Sequence, residues 1–195
     1  NGVSTSLTFV GAVPTALSAS IGDLWIGDGA KYNEPFKGSI DEFSIWDVTL
    51  DADAVTAVYN SGQPIDLSVE KGNYDNEGDL VSWWRMGDND SGAGTTVTDN
   101  EGSNDGTLVN TPTFVVDTPP NYSNYALDFN GTDEYGDCGT GIGDALGDNY
   151  AGSLTVSMWF KADVIQAQRW WVDTDGCIHR HYELASPSLR LRNRQ

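Results

Sequence analysis

Apolar and polar residues alternate along short runs of this chain, and clusters of Gly, Asn, Asp, Ser and Thr separate the runs. A period of two marks a half-buried strand, and many short runs between turn-formers predict an all-β protein. The runs lie at 7–10, 24–27, 38–46, 80–86, 114–116, 125–130 and 154–160, with weaker ones at 170–173 and 188–192. In the run at 38–46, Asp41, Phe43 and Ile45 should point one way, and Ile40, Glu42, Ser44 and Trp46 the other. In 80–86, Leu80, Ser82, Trp84 and Met86 alternate with Val81, Trp83 and Arg85. One short helix is predicted near 51–61. Asp51 suits its N-cap, and Leu50 with Val55 has the spacing of a hydrophobic staple. Val55, Val58 and Tyr59 would form the apolar stripe, Gly62 the left-handed end, and Pro64 the stop.

Charge changes what the pattern can mean. The chain of 195 residues carries a formal charge of −19. That excludes nucleic acid as a partner, because phosphates would be repelled and no basic stripe is present. It suits calcium, neutral sugars or a solvated surface. Five of the ten Lys and Arg residues fall in the last 27 positions, so residues 166–195 reverse the sign of the rest. No apolar run approaches the about 20 residues of a membrane-spanning helix. Cys138 and Cys177 are too few for a disulfide framework, and whether they pair depends on the fold.

The stretch 36–67 resembles the closing segment of laminin-G-like, concanavalin A-like jelly-roll domains, the pentraxin branch included. The shared positions are Gly38, Ile40, Asp41, Glu42, Ile45, Trp46, Leu50, Tyr59, Asn60 and Gly62. Three later stretches resemble the opening of such a domain. They are Asp99, Gly102, Asn104, Asp105, Gly106, Thr107 and Leu108; a hairpin with Ala126, Leu127, Phe129, Gly131 and Tyr135; and the strand ending in Trp159 and Lys161. The resemblance implies a two-sheet antiparallel sandwich. It divides the chain into 1–67, the end of one domain; 68–78, a linker; 79–165, the beginning of a domain; and 166–195, an unmatched tail. An end that precedes a beginning fits either neighbouring copies in a longer chain, hence a fragment, or one permuted sandwich. Each half alone would expose an apolar sheet face and unpaired edges, which favours contact between them.

Several residues invite chemistry. Paired carboxylates about 5–10 Å apart on one face are what glycosidases of this fold need. Asp41 and Glu42 are adjacent, so on a regular strand they would face opposite sides. Cys177, His179 and His181 could offer zinc three ligands from one strand, with no fourth evident. Asp88 and Asp90 are the best pair for calcium, which such domains often hold at loop rims. Their loop mimics an EF-hand only in part: Ala93 stands where the turn glycine belongs and Asp99 where the closing Glu belongs. Of Trp83 and Trp84, one should face the core. Trp83, sharing its face with Arg85, is the expected exposed platform, and the pair is the candidate ligand site.

The expected function is therefore non-enzymatic recognition of a glycan or protein surface, without membrane insertion. The alternatives are a purely structural decorating module and, more remotely, a glycoside hydrolase. The phrases at 83–90, 98–110 and 121–139 resemble marine bacteriophage structural proteins that carry such repeats. That implies an extracellular or virion setting and a larger or oligomeric assembly.

Overall fold

The computed structural model describes residues 23–28, 35–146, 152–163, 168–172 and 178–182. The runs predicted at 7–10 and 188–192 lie outside them. In chain order the strands are β1 Trp25–Ile26, β2 Lys37–Trp46, β3 Leu80–Trp84, β4 Thr96–Val97, β5 Gly106–Val109, β6 Thr113–Val115, β7 Ala126–Asn130, β8 Tyr135–Asp137, β9 Thr155–Ala162, β10 Gln168–Val172 and β11 Ile178–Tyr182. Helix α1 spans Ala52–Tyr59 and α2 Gly141–Leu146. The described residues are mostly β, and among them one antiparallel sheet has four strands, one has five, and β10–β11 form a two-stranded ladder.

Strand β2 is the axis of the five-stranded sheet. One of its edges pairs with β9 from Gly38 to Trp46. The other pairs first with β7, through Lys37–Ile40, and then with β3, through Phe43–Trp46. β6 extends the sheet beyond β7. The four-stranded sheet runs β1-β8-β5-β4. Residues 37–46 thus share one sheet with β3, β6, β7 and β9, and β1 joins β8, β5 and β4 in the other.

The five-stranded sheet is covered on both faces. Toward the smaller sheet, Ile40, Phe43, Ile45, Trp84, Leu127 and Phe129 meet Ile26, Val97, Leu108 and Cys138. On the outer face, Trp46, Leu80 and Trp83 pack under Leu50, Ala54, Ile65, Leu67 and Tyr74. This outer layer explains the first departure from simple alternation: both Trp83 and Trp84 are buried, one in each layer. The second departure is a bulge. Asp41 pairs with Trp159 but Ser44 with Ser157, so β2 carries one extra residue there, and Glu42 takes a left-handed φ of 51°. A bulge resets the alternation. Ile40 consequently joins Phe43 and Ile45 in the inner core instead of facing away from them.

Two further expectations change. β7 and β8 are not a hairpin, since β7 pairs with β2 and β6 while β8 pairs with β1 and β5. The Asn130 side chain accepts the amides of Thr132 and Asp133, and Glu134 accepts that of Asn130, so the turn carries the chain from one sheet to the other. In α1, Asp51 caps the amides of Asp53 and Ala54 as predicted, but the buried residue is Ala54 and Val55 is 41% exposed. The left-handed end begins at Asn60, with φ 42°, and continues through Ser61 and Gly62.

Candidate functional site

The bulge of β2 brings acids into the protein interior. Asp41 is 2% exposed and Glu42 3%. Asp41 Oδ1 accepts the Glu42 amide at 2.8 Å, an amide that the bulge takes out of the ladder. Its Oδ2 is buried without a hydrogen-bond partner. Glu42 Oε2 accepts the Trp83 indole N–H at 2.7 Å, and Oε1 faces Arg85 Nε at 3.4 Å. Burial disfavours the charged form of both acids. It pushes Asp41 up to about 8, with the Glu42 charge adding to the shift. It pushes Glu42 up to about 7, against the opposing pull of Arg85 and the Trp83 hydrogen bond.

Arg85 is the cation of this cluster. Its Nη2 donates to Asp88 Oδ2 at 2.6 Å and to the Tyr122 carbonyl at 3.3 Å. Its guanidinium lies 4.4 Å from the Tyr122 ring centroid and 5.2 Å from that of Trp83, within cation–π range. Tyr122 in turn meets Asp66. Burial raises Asp66, but hydrogen bonds from Ser68 and Tyr122 and the Arg85 charge outweigh it and leave the carboxyl below its ordinary value. Trp83 is therefore not an exposed platform. It is 1% exposed, its rings pack in the outer layer and its N–H is spent on Glu42. The Arg85 side chain is 15% exposed and held by Glu42 and Asp88.

The acids around this centre fasten the loops of one rim. Asp88 Oδ1 accepts the amides of Asn124 and Tyr125 at 2.8 and 3.0 Å, which ties 118–125 to the end of β3. Asp90 accepts the amide and hydroxyl of Thr98. Asp99, 6% exposed, accepts the amides of Trp83, Glu101, Gly102 and Asn104, the Ser82 hydroxyl and the Asn104 side-chain amide. Calcium needs six to eight free oxygen ligands. The carboxylates of Asp88 and Asp90 already face N–H and O–H donors, and a cation there would have to displace them. Among the described residues no three His, Cys, Asp or Glu side chains converge as a metal group.

The cluster borders a small cleft between Glu42, Ser44, Ile65, Leu67, Ser157 and Trp159, with space of about 10 Å³, that of about one water. Among the described residues, this cleft beside Glu42 is narrower than a sugar ring. Two partly buried aromatic pairs stack: Tyr59 on Trp159, at the edge of this cleft, with ring centroids 6.0 Å apart, and Trp25 on Tyr135 at 3.9 Å. His179 and His181 lie on β11, opposite Trp171 and Arg169, while Cys177 lies outside the described residues. Cys138 is a buried free thiol, raised by burial and by the charge of Asp137.

Alternation did not reveal Tyr122, Ser123 and Asp66, whose roles come from contacts across the fold. For Asp99 the spacing of Gly102, Asn104 and Asp105 was a signal. A Cβ at Gly102 would stand 2.6 Å from Asp99 Oδ2 and 2.7 Å from the Val81 carbonyl. No family model, curated protein or solved structure matches the chain.

Proposed function

We propose that the chain is a non-enzymatic recognition module, a rearranged laminin-G-like jelly roll that presents a glycan- or protein-binding rim on an extracellular or virion assembly. The observation that carries this reading is the way the rim loops are held. Residues 87–95, 99–105 and 117–125 expose polar side chains, Asn89, Glu101, Ser103 and Asn124 among them. Asp99 holds the backbone of 99–105 and Asp88 that of 117–125, while Asp90 ties 87–95 to Thr98. A loop ordered before contact loses less entropy on binding than a loose one, and rigid support lets exposed polar groups discriminate between partners.

Immobilised full-length chain, presented with a glycan panel and with cell-surface proteins, should retain a ligand. Replacing Glu101, Ser103 and Asn124 together by Arg should weaken retention at least about tenfold, equivalent to about 1.4 kcal/mol, with the melting temperature unchanged. Absence of binding to every glycan and protein would favour the purely structural module. Reducing ends released from a polysaccharide would favour the hydrolase.

A further inference from the structure

The edges of the two sheets are guarded unequally. An edge strand offers unpaired N–H and C=O groups to any other strand, and proteins blunt it by shortness, charge, proline or cover. In the four-stranded sheet the outer strands β1 and β4 have two residues each. On one side of the five-stranded sheet, β6 has three residues and is followed by Pro119 and Pro120. On the same side β3 is covered, since Trp83 donates its amide to Asp99 and accepts that of Asn100 at its carbonyl. The other side is β9, eight residues with no proline and no acid. Among the described residues its ladder partner is β2 alone.

The side chains of β9 are not those of a solvated edge. Opposed residues in a ladder share a face, so Val156 and Phe160 lie on the inner face with Ile45 and Ile40. Met158 between them packs on the inner core. Val156 is nevertheless 39% exposed, and Phe160 is 58% exposed although it meets Phe36 edge-on with ring centroids 6.4 Å apart. Lys161 is the one charge of the strand, and it is engaged by Asp117. In a chain of formal charge −19, an acid-free edge is where a second copy meets the least local repulsion.

We propose that β9 is the contact between two copies of this chain, which pair antiparallel along it so that their five-stranded sheets become one. The contact holds whether or not the rim loops bind a ligand. Identical strands pair in this way about a two-fold axis, and the interface is closed and self-complementary. With the axis through Met158, Val156 of each copy stands opposite Phe160 of the other, Ser157 opposite Trp159, and Thr155 opposite Lys161. This register sets the two exposed apolar side chains against each other, at the spacing where cross-strand pairs interact, and opposes no like charges. Repulsion between the copies then comes from the rest of their surfaces. Added salt screens it and should strengthen pairing.

Light scattering on the full chain should show the mass rising with concentration from that of one chain to that of two, and rising sooner in high salt. Val156→Lys and Phe160→Glu should each weaken pairing at least about tenfold, with the melting temperature of the dilute protein unchanged. Mixed together, the two variants should pair with each other, because the substituted positions face each other in this register. The mass of one chain at every concentration would overturn the proposal. So would pairing that both substitutions leave intact, or a mixture that fails to pair. If a variant does not fold, hydrogen exchange of the parent chain decides. The β9 amides that do not bond β2 should gain protection as concentration rises. Full protection already in dilute protein would mean that another part of the same chain occupies the edge, and the idea would fall.

Discussion

Asp99 shows how one side chain can fix a loop. Its carboxylate gathers four backbone amides, a hydroxyl and a side-chain amide, while its own amide is held by Asp105 Oδ1 at 2.8 Å. Removing the carboxylate strands several buried donors, each costing about 1–3 kcal/mol before relaxation or water entry. Asp99→Ala is therefore expected to lower stability by about 3–5 kcal/mol, read as a drop in urea midpoint with an unchanged m-value. A loss under about 1 kcal/mol would show that water replaces the side chain and that the loop orders itself. The spacing of Asp99, Gly102 and Asn104 made the loop visible in the sequence. What the Asp does there was not visible, because its donors from Ser82 and Trp83 come from a strand 17 and 16 residues away.

At the level of elements, the chain disclosed its strands better than their faces. β2, β3, β7 and β9 lie where alternation placed them, but alternation assumes a regular ladder with one covered side. The bulge at Asp41–Ser44 and the register shift at Ile45–Trp46 break the first assumption. The layer made by α1 and Leu67–Tyr74 breaks the second, and that is why Trp83 turned out buried. Helix α1 gives a direct measure of the difference. Its cap was legible, since Asp51 precedes an apolar run and its role is local. Its buried face was not, because Ala54 meets the sheet and Val55 faces out. Asp51→Ala should cost about 1 kcal/mol, whereas Val55→Lys should stay within about 0.5 kcal/mol of the parent. Chemical denaturation of the two variants checks this pair, and the reverse order would mean that Val55 anchors the helix.

Across the whole molecule, β2 decides how many cooperative units exist. Its ten residues are paired on one side by β9 and on the other by β7 and β3. Without those partners β2 would present two bare edges. Without β2, β3 and β9 would lose their ladder in that sheet and the Asp41–Glu42–Arg85 cluster would lose its acids. Contacts of this kind join distant parts of the chain, so neither inner core nor outer layer can be taken apart alone. The buried indoles report both layers: Trp84 belongs to the inner core, and Trp46 and Trp83 to the outer. Equilibrium unfolding in urea followed by tryptophan fluorescence and by far-ultraviolet circular dichroism should therefore give one coincident midpoint. If residues 1–67 and 79–165 instead unfolded at separate midpoints, the shared sheet would not be the unit of stability. The rim loops would then rest on two independent supports, and the rigidity on which the recognition reading depends would be lost with the weaker one.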